Sequence, residues 1–145
     1  MFLNPGIALE VGCGNGVSTV ALYQRGAYDR VVGVDISPAA ITRAQEAVSR
    51  AGVPTVQVSV ESSNGVVLIC ADVLDDQGPL RAFHGACHAV VDCQFYHAVR
   101  TPSTAVNVAG SLARLLVPGV GRLLVVCGNI EEPPRISPGP TLLSR

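Results

Sequence analysis

The chain has 145 residues, enough for one domain with a genuine core and too few for two. It is 48% hydrophobic and 14% charged, with 15 Gly and 10 Pro, a balance that excludes a charge-rich disordered chain. The net charge of −1 and the scattered arginines leave no electrostatic footprint for nucleic acid or an anionic membrane, and no apolar run reaches the ~18 residues of a membrane span.

Apolar runs and helical patterns alternate along the chain. Ile7–Val11 is short, apolar and ends in glycines, as a strand buried on both faces does. Val17–Arg25 places Val17, Val20, Ala21 and Leu22 in a short helix that Gly26 ends. Arg30–Ile36 is a second strand. Ser37-Pro38 then reads as an N-cap and first helical position, and Ile41, Ala44 and Val48 share one face of a helix closed by Gly52. Val56, Val58 and Val60 alternate with polar residues before the turn-like Asn64-Gly65 and the apolar Val66–Cys70. That pattern predicts a hairpin, with the alternating segment folded back antiparallel over the third strand. Leu80–Ala86 is a weak helix and Ala89–Cys93 a strand. Ala105–Val117 is a helix with Val108, Leu112, Leu115 and Leu116 on one side, and Leu123–Cys127 is the last strand. Residues 131–145 contain four prolines and no periodicity, so the chain divides into a domain over 1–130 and an irregular tail.

This alternation argues for an open, mostly parallel α/β sheet with helices on both faces, whose ligand sits at the carboxyl ends of the strands. Lysine is absent, which excludes Schiff-base and phosphate-loop lysine chemistry. The five cysteines and three histidines show no metal-ligand spacing, so no metal site is expected. Reduced, buried thiols and the lack of a signal-peptide pattern agree with a cytoplasmic protein.

The loop Glu10-Val-Gly12-Cys13-Gly14-Asn-Gly16 joins the first strand to the first helix. Its glycines permit a tight turn and close approach to a ligand, but Val17 stands where a dinucleotide fingerprint carries its third glycine. Asp35 ends the second strand, where a carboxylate can accept both hydrogen bonds of a ribose diol, or can serve the helix that Ser37 caps.

Taken in order, Glu10-Val-Gly-Cys-Gly-Asn-Gly, Val-Gly-Val-Asp35-Ile-Ser-Pro, Cys-Ala-Asp72-Val-Leu and Leu112-Ala-Arg-Leu-Leu-Val-Pro-Gly resemble the successive motifs of class I S-adenosylmethionine-dependent methyltransferases. Asp92-Cys-Gln-Phe-Tyr-His97 and Cys127-Gly-Asn129 are similar to the small-molecule branch that acts on thiopurines or thiols. The resemblance spans roughly residues 7–129. It implies a Rossmann-like fold and S-adenosyl-L-methionine as cofactor. Gly12, Cys13, Gly14 and Gly16 would pass beneath its methionine part, and Glu10 would orient the loop or reach the ammonium. Asp35, with Ile36, would hold the ribose, while Asp72 takes the adenine amino group and Val73 packs on the ring. Asp92 would help place the sulfonium or the acceptor, or be satisfied by neighbouring amides. His97 would accept the nucleophile's proton, or pack beneath the cofactor loop. The partner implied is a small-molecule methyl acceptor, with sulfur favoured. Two other classes stay open: a degenerate cofactor-binding or interaction module, and a nicotinamide-dependent oxidoreductase.

The sequence also departs from that family. His88 replaces an acid at the start of the fourth strand, and the Pro118-Gly119-Val120-Gly121 turn has one residue more than the usual Pro-Gly-Gly. The Val56–Val67 region resembles an insertion, and the sheet is expected to lack the two further strands that the family normally adds after the fifth. The third strand should occupy one edge of the sheet, covered by the hairpin. The fifth should lie open at the other, inviting self-association through an uncovered edge.

Overall fold

The computed structural model describes residues 6–58 and 64–126. Five strands, β1 (Ile7–Val11), β2 (Arg30–Asp35), β3 (Gly65–Cys70), β4 (Cys87–Cys93) and β5 (Arg122–Val126), form one sheet in the order β3-β2-β1-β4-β5. Every neighbouring pair is parallel. The order reverses between β1 and β4, which leaves a crevice above their carboxyl ends. Val11 is level with Val34 on one side and with Asp92 on the other, so the three candidate loops leave the sheet side by side.

Two layers of side chains sandwich the sheet. Leu9, Val11, Val32, Val34, Val67 and Val90 pack with Val108, Leu112 and Leu115 of α4 (Ala105–Leu115) and with Leu80 and Phe83 of a 3-10 turn, Pro79–Phe83. On the other face Ala8, Val31 and Val66 pack with Val48 of α2 (Pro38–Arg50). The Ser37 hydroxyl accepts the Ala40 N–H at 3.3 Å, the cap that its position beside Pro38 predicts.

Helix α1 (Val17–Gln24) forms where the sequence predicts it. Its buried residue is Thr19, while Val17 is 61% exposed. Val17, Val20, Ala21 and Leu22 are spread too widely around so short a helix to form one stripe, and the sheet-facing position is claimed by a hydroxyl that serves Glu10.

The expected antiparallel hairpin is also corrected. Thr55 bridges Val66 in the parallel sense: the Val56 N–H donates to the Val66 carbonyl at 2.9 Å, and the Val66 N–H to Pro54 at 2.8 Å. The chain leaves α2 running the same way as β3, because Val53 is buried at the foot of α2 and starts the return beside the sheet. The remainder of the alternating segment, residues 59–63, lies outside the described residues, as do Cys127, Asn129 and the tail 131–145. The helix expected over Leu80–Ala86 is the 3-10 turn Pro79–Phe83, and the sequence did not predict α3 (Phe95–Val99).

At the far edge Leu123, Leu124, Val125 and Val126 of β5 are all exposed, between 38% and 58%. A parallel strand is ordinarily covered on both faces. Among the described residues no element lies beyond β5 in the sheet.

Candidate active site

The glycine loop turns through three left-handed positions, Gly12, Gly14 and Gly16. Their surroundings differ. A Cβ on Gly12 would sit 3.1 Å from Cβ of Phe95, and one on Gly16 would sit 2.8 Å from Cβ of Ala44 and 2.9 Å from its Cα. Gly12 and Gly16 therefore admit α3 and α2 to close contact, whereas a Cβ on Gly14 meets nothing within 4 Å. Gly14 is the glycine that faces open space.

Glu10 is 2% exposed and accepts a hydrogen bond from the Thr19 hydroxyl. Burial raises its carboxyl above the usual 4.5, and the hydroxyls of Thr19 and Ser18 offset part of that shift. The carboxylate thus braces the loop from beneath. Cys13 donates its N–H to the Val34 carbonyl at 2.9 Å, and its thiol packs with Ile41 and Ala44, pushed up to about 12 by burial and by the charges of Glu10 and Asp35. That thiol is a packing group, and Cys13 can meet a ligand only through its backbone.

Asp35 binds two loops at once. One carboxylate oxygen accepts the Gly14 N–H at 2.9 Å and the other accepts the Ser37 N–H at 2.9 Å. A carboxylate has about four lone-pair sites, so two remain. Across the crevice, Asp72 accepts the Leu74 N–H at 2.9 Å on one oxygen and is exposed to the same space.

That space is a cavity of about 330 Å³. Gly12, Asp35 and Ile36 line it on one side, Ala71–Leu74 on another, and Cys93, Gln94, Phe95, Ala98 and Val99 close it. Three of the four loop ends at the carboxyl edge thus reach it with the residues that the sequence singled out. Its charged lining consists of Asp35 and Asp72, with no basic side chain. Such a site disfavours a pyrophosphate and suits a cationic ligand that carries a neutral nucleoside.

Asp92 and His97 lie elsewhere. Asp92 is fully buried and accepts the Phe95 N–H at 2.6 Å and the Tyr96 N–H at 3.0 Å, capping the start of α3. Phe95, Ala98 and Val99 are spaced as one helical face and form the cavity wall, which places His97 on the opposite face of α3. His97 is 4% exposed, and neither ring nitrogen has a hydrogen-bond partner among the described residues. His88, the departure noted at the start of β4, accepts the Ile7 N–H at 3.3 Å and so fastens the start of β1.

Sequence reasoning missed Gln94. It stands between β4 and α3 with φ 72°, the only left-handed non-glycine among the described residues, and it lines the cavity. Nothing in its residue type signals that conformation, since Gly or Asn is the usual occupant.

Residues 8–119 match the family described as a methyltransferase domain. Among solved structures, one concerned with the conversion of a disulfide bond into a thioacetal group during echinomycin biosynthesis is 26% identical, with a TM-score of 0.67 over 88% of this chain and 47% of that one. A putative S-adenosyl-L-methionine-dependent methyltransferase from Methanococcus maripaludis is 16% identical, with a TM-score of 0.65 over 87% of this chain and 49% of its own. An S-adenosylmethionine-dependent methyltransferase from Clostridium acetobutylicum is 14% identical, with a TM-score of 0.66 over 87% and 44%. The chain spans about half the length of these structures. With the family match over most of the chain, the five-stranded parallel order and the carboxylate-lined crevice in agreement, the chain belongs to the methyltransferase-domain family, of the S-adenosylmethionine-dependent type.

Proposed function

We propose that this domain transfers a methyl group from S-adenosylmethionine to a nucleophile on a small molecule, with a sulfur nucleophile preferred. The observation that carries this reading is the cavity bounded by Gly12, Asp35, Asp72 and Val73, whose charged lining is wholly acidic. When bound, the cofactor supplies an electrophilic methyl on a sulfonium.

The residues divide the work. Asp35 offers its two free lone-pair sites to the ribose diol while it holds the Gly14 and Ser37 amides. Asp72 accepts from the adenine amino group, and the buried Val73 and the exposed Ile36 flank the nucleoside. Gly14 leaves the path of the methionine chain open, and the loop held by Glu10 and Thr19 supports it from below. Asp92 is a positioning residue: its two amide contacts set α3, and α3 sets the cavity wall. His97 faces away from that wall, so we assign no proton transfer to it.

A sulfur acceptor agrees with a cavity whose titratable lining is Asp35, Asp72 and Cys93. A thiol of ordinary acidity supplies its own thiolate near neutral pH and needs little base assistance. The bound cofactor would supply the methyl group and leave as a neutral thioether, the acceptor's thiolate would supply the bonding electron pair, and the thiol proton would go to solvent. The echinomycin-pathway structure, at 26% identity, likewise concerns chemistry at sulfur. The main catalytic contribution is alignment of nucleophile, methyl and sulfur. The test is turnover of labelled cofactor with a panel of small thiols, phenols and amines. Transfer to thiols above the rest supports the reading, and transfer only to amines or phenols would remove the sulfur preference.

A further inference from the structure

We propose that Gln94 is the residue that contacts the methyl acceptor, with its side-chain amide held over the site of transfer by a strained elbow between β4 and α3. The proposal rests on the methyltransferase reading and adds a specificity-determining residue to it.

The elbow has one residue. β4 ends at Cys93 and α3 begins at Phe95, so the chain reverses from strand to helix at Gln94 alone. The turn needs φ 72° there, a conformation in which a glutamine side chain is disfavoured and glycine is free. Three contacts over-determine it. The Gln94 N–H donates to the Val126 carbonyl at 3.2 Å, and Asp92 takes the next two amides on its carboxylate. Phe95 is seated against Gly12, where no other residue would fit without displacement. A glycine would serve this backbone better, so the fold itself gives no reason for a glutamine.

The side chain explains the residue. Gln94 is exposed and lines the cavity at the end of β4, beside the glycine loop, on the opposite side of the crevice from Asp72. Asp35 and Asp72 occupy the nucleoside side. At the β4 end the polar lining is Cys93 and Gln94. A carboxamide there offers one acceptor oxygen and two donor hydrogens without charge. It can therefore fix an acceptor through a polar group next to the nucleophile while leaving the thiolate and the sulfonium as the interacting charges. Strain retained beside a cavity, at a position where relief is chemically simple, is the pattern of a functional constraint.

The experiment compares the full chain with Gln94→Gly. Bound S-adenosylmethionine labelled with carbon-13 in its methyl group is observed by NMR, alongside thermal unfolding and the cofactor Kd. The expected result is a Tm that holds or rises by about 3 °C, a Kd within threefold of the parent, and a displaced bound-methyl resonance. With a thiol acceptor kcat/KM falls at least tenfold, and Gln94→Asn recovers part of it. A bound-methyl resonance that coincides with the parent's overturns the proposal. A lowered Tm also overturns it, because Gln94 would then be a structural residue. If the parent chain leaves the labelled methyl at its free position, the methyltransferase reading fails, and the proposal fails with it.

Discussion

Replacing Asp35 separates the amide contacts that the structure gives its carboxylate from the ribose contact proposed for it. In Asp35→Ala the Gly14 and Ser37 amides lose acceptors at 2.9 Å. Hydrogen bonds to a charged group contribute about 1.5–3 kcal/mol each, and an amide left at a partly open site regains water. A net loss of about 1–2 kcal/mol of stability is therefore expected, short of unfolding a domain of this size. The ribose contacts add to this only when cofactor is present, and losing them should weaken binding at least tenfold, which is about 1.4 kcal/mol. Asp35→Asn keeps one acceptor oxygen and gains a donor. It should fall between parent and alanine variant in both quantities. Urea unfolding measures the first and calorimetric titration with S-adenosylmethionine the second. Variants that lose stability in this order but bind cofactor with unchanged affinity would refute the ribose assignment and leave Asp35 as a loop brace alone.

Four further outcomes are expected. Gly16→Ala should cost about 2 kcal/mol or more by urea unfolding, since its Cβ would stand 2.8 Å from Ala44 on a left-handed backbone. Gly14→Val should instead abolish cofactor binding in the same titration with a smaller loss of stability, because its Cβ has free room within the protein. Glu10 has a raised native pKa, so the folded state holds its proton more tightly, and stability should fall as pH rises above 4.5 towards the native value; Glu10→Gln should flatten that decline in urea unfolding followed from pH 4 to 8. We also expect the 145-residue chain to self-associate through β5, and Leu124→Lys to reduce the sedimentation coefficient at high concentration; a parent chain that sediments as a monomer throughout removes that idea.

Much of this architecture was legible because its signals are long and redundant. The parallel strands are continuous aliphatic runs, and α2 and α4 repeat their apolar residues over three turns, so Ile41, Ala44 and Val48, or Val108, Leu112 and Leu115, point to a core by spacing alone. The crevice was legible as well, since Gly12, Asp35, Asp72 and Val73 each stand at or just beyond the end of a strand and strand ends converge in this topology. Helix α1 was legible as a helix but not in its buried face, because its eight residues carry apolar side chains all round and a buried acid, Glu10, draws the polar Thr19 inward. His97 belongs to a five-residue helix, too short for periodicity to reveal, and Asp92, near the end of β4, caps it. Which face of α3 meets the cavity depends on the elbow at Gln94, and a left-handed glutamine leaves no trace in residue type. The parallel bridge at Thr55 was missed for a related reason: alternation identifies an extended segment but not its direction.

The central claim is that the crevice between β1, β2, β3 and β4 holds S-adenosylmethionine through Asp35 and Asp72. Calorimetric titration of the full chain tests it most directly. The account predicts one site that binds S-adenosylmethionine, is displaced by S-adenosylhomocysteine, is indifferent to NAD, and is weakened at least tenfold by Asp72→Ala. No binding of S-adenosylmethionine, or displacement of it by NAD, would contradict the account.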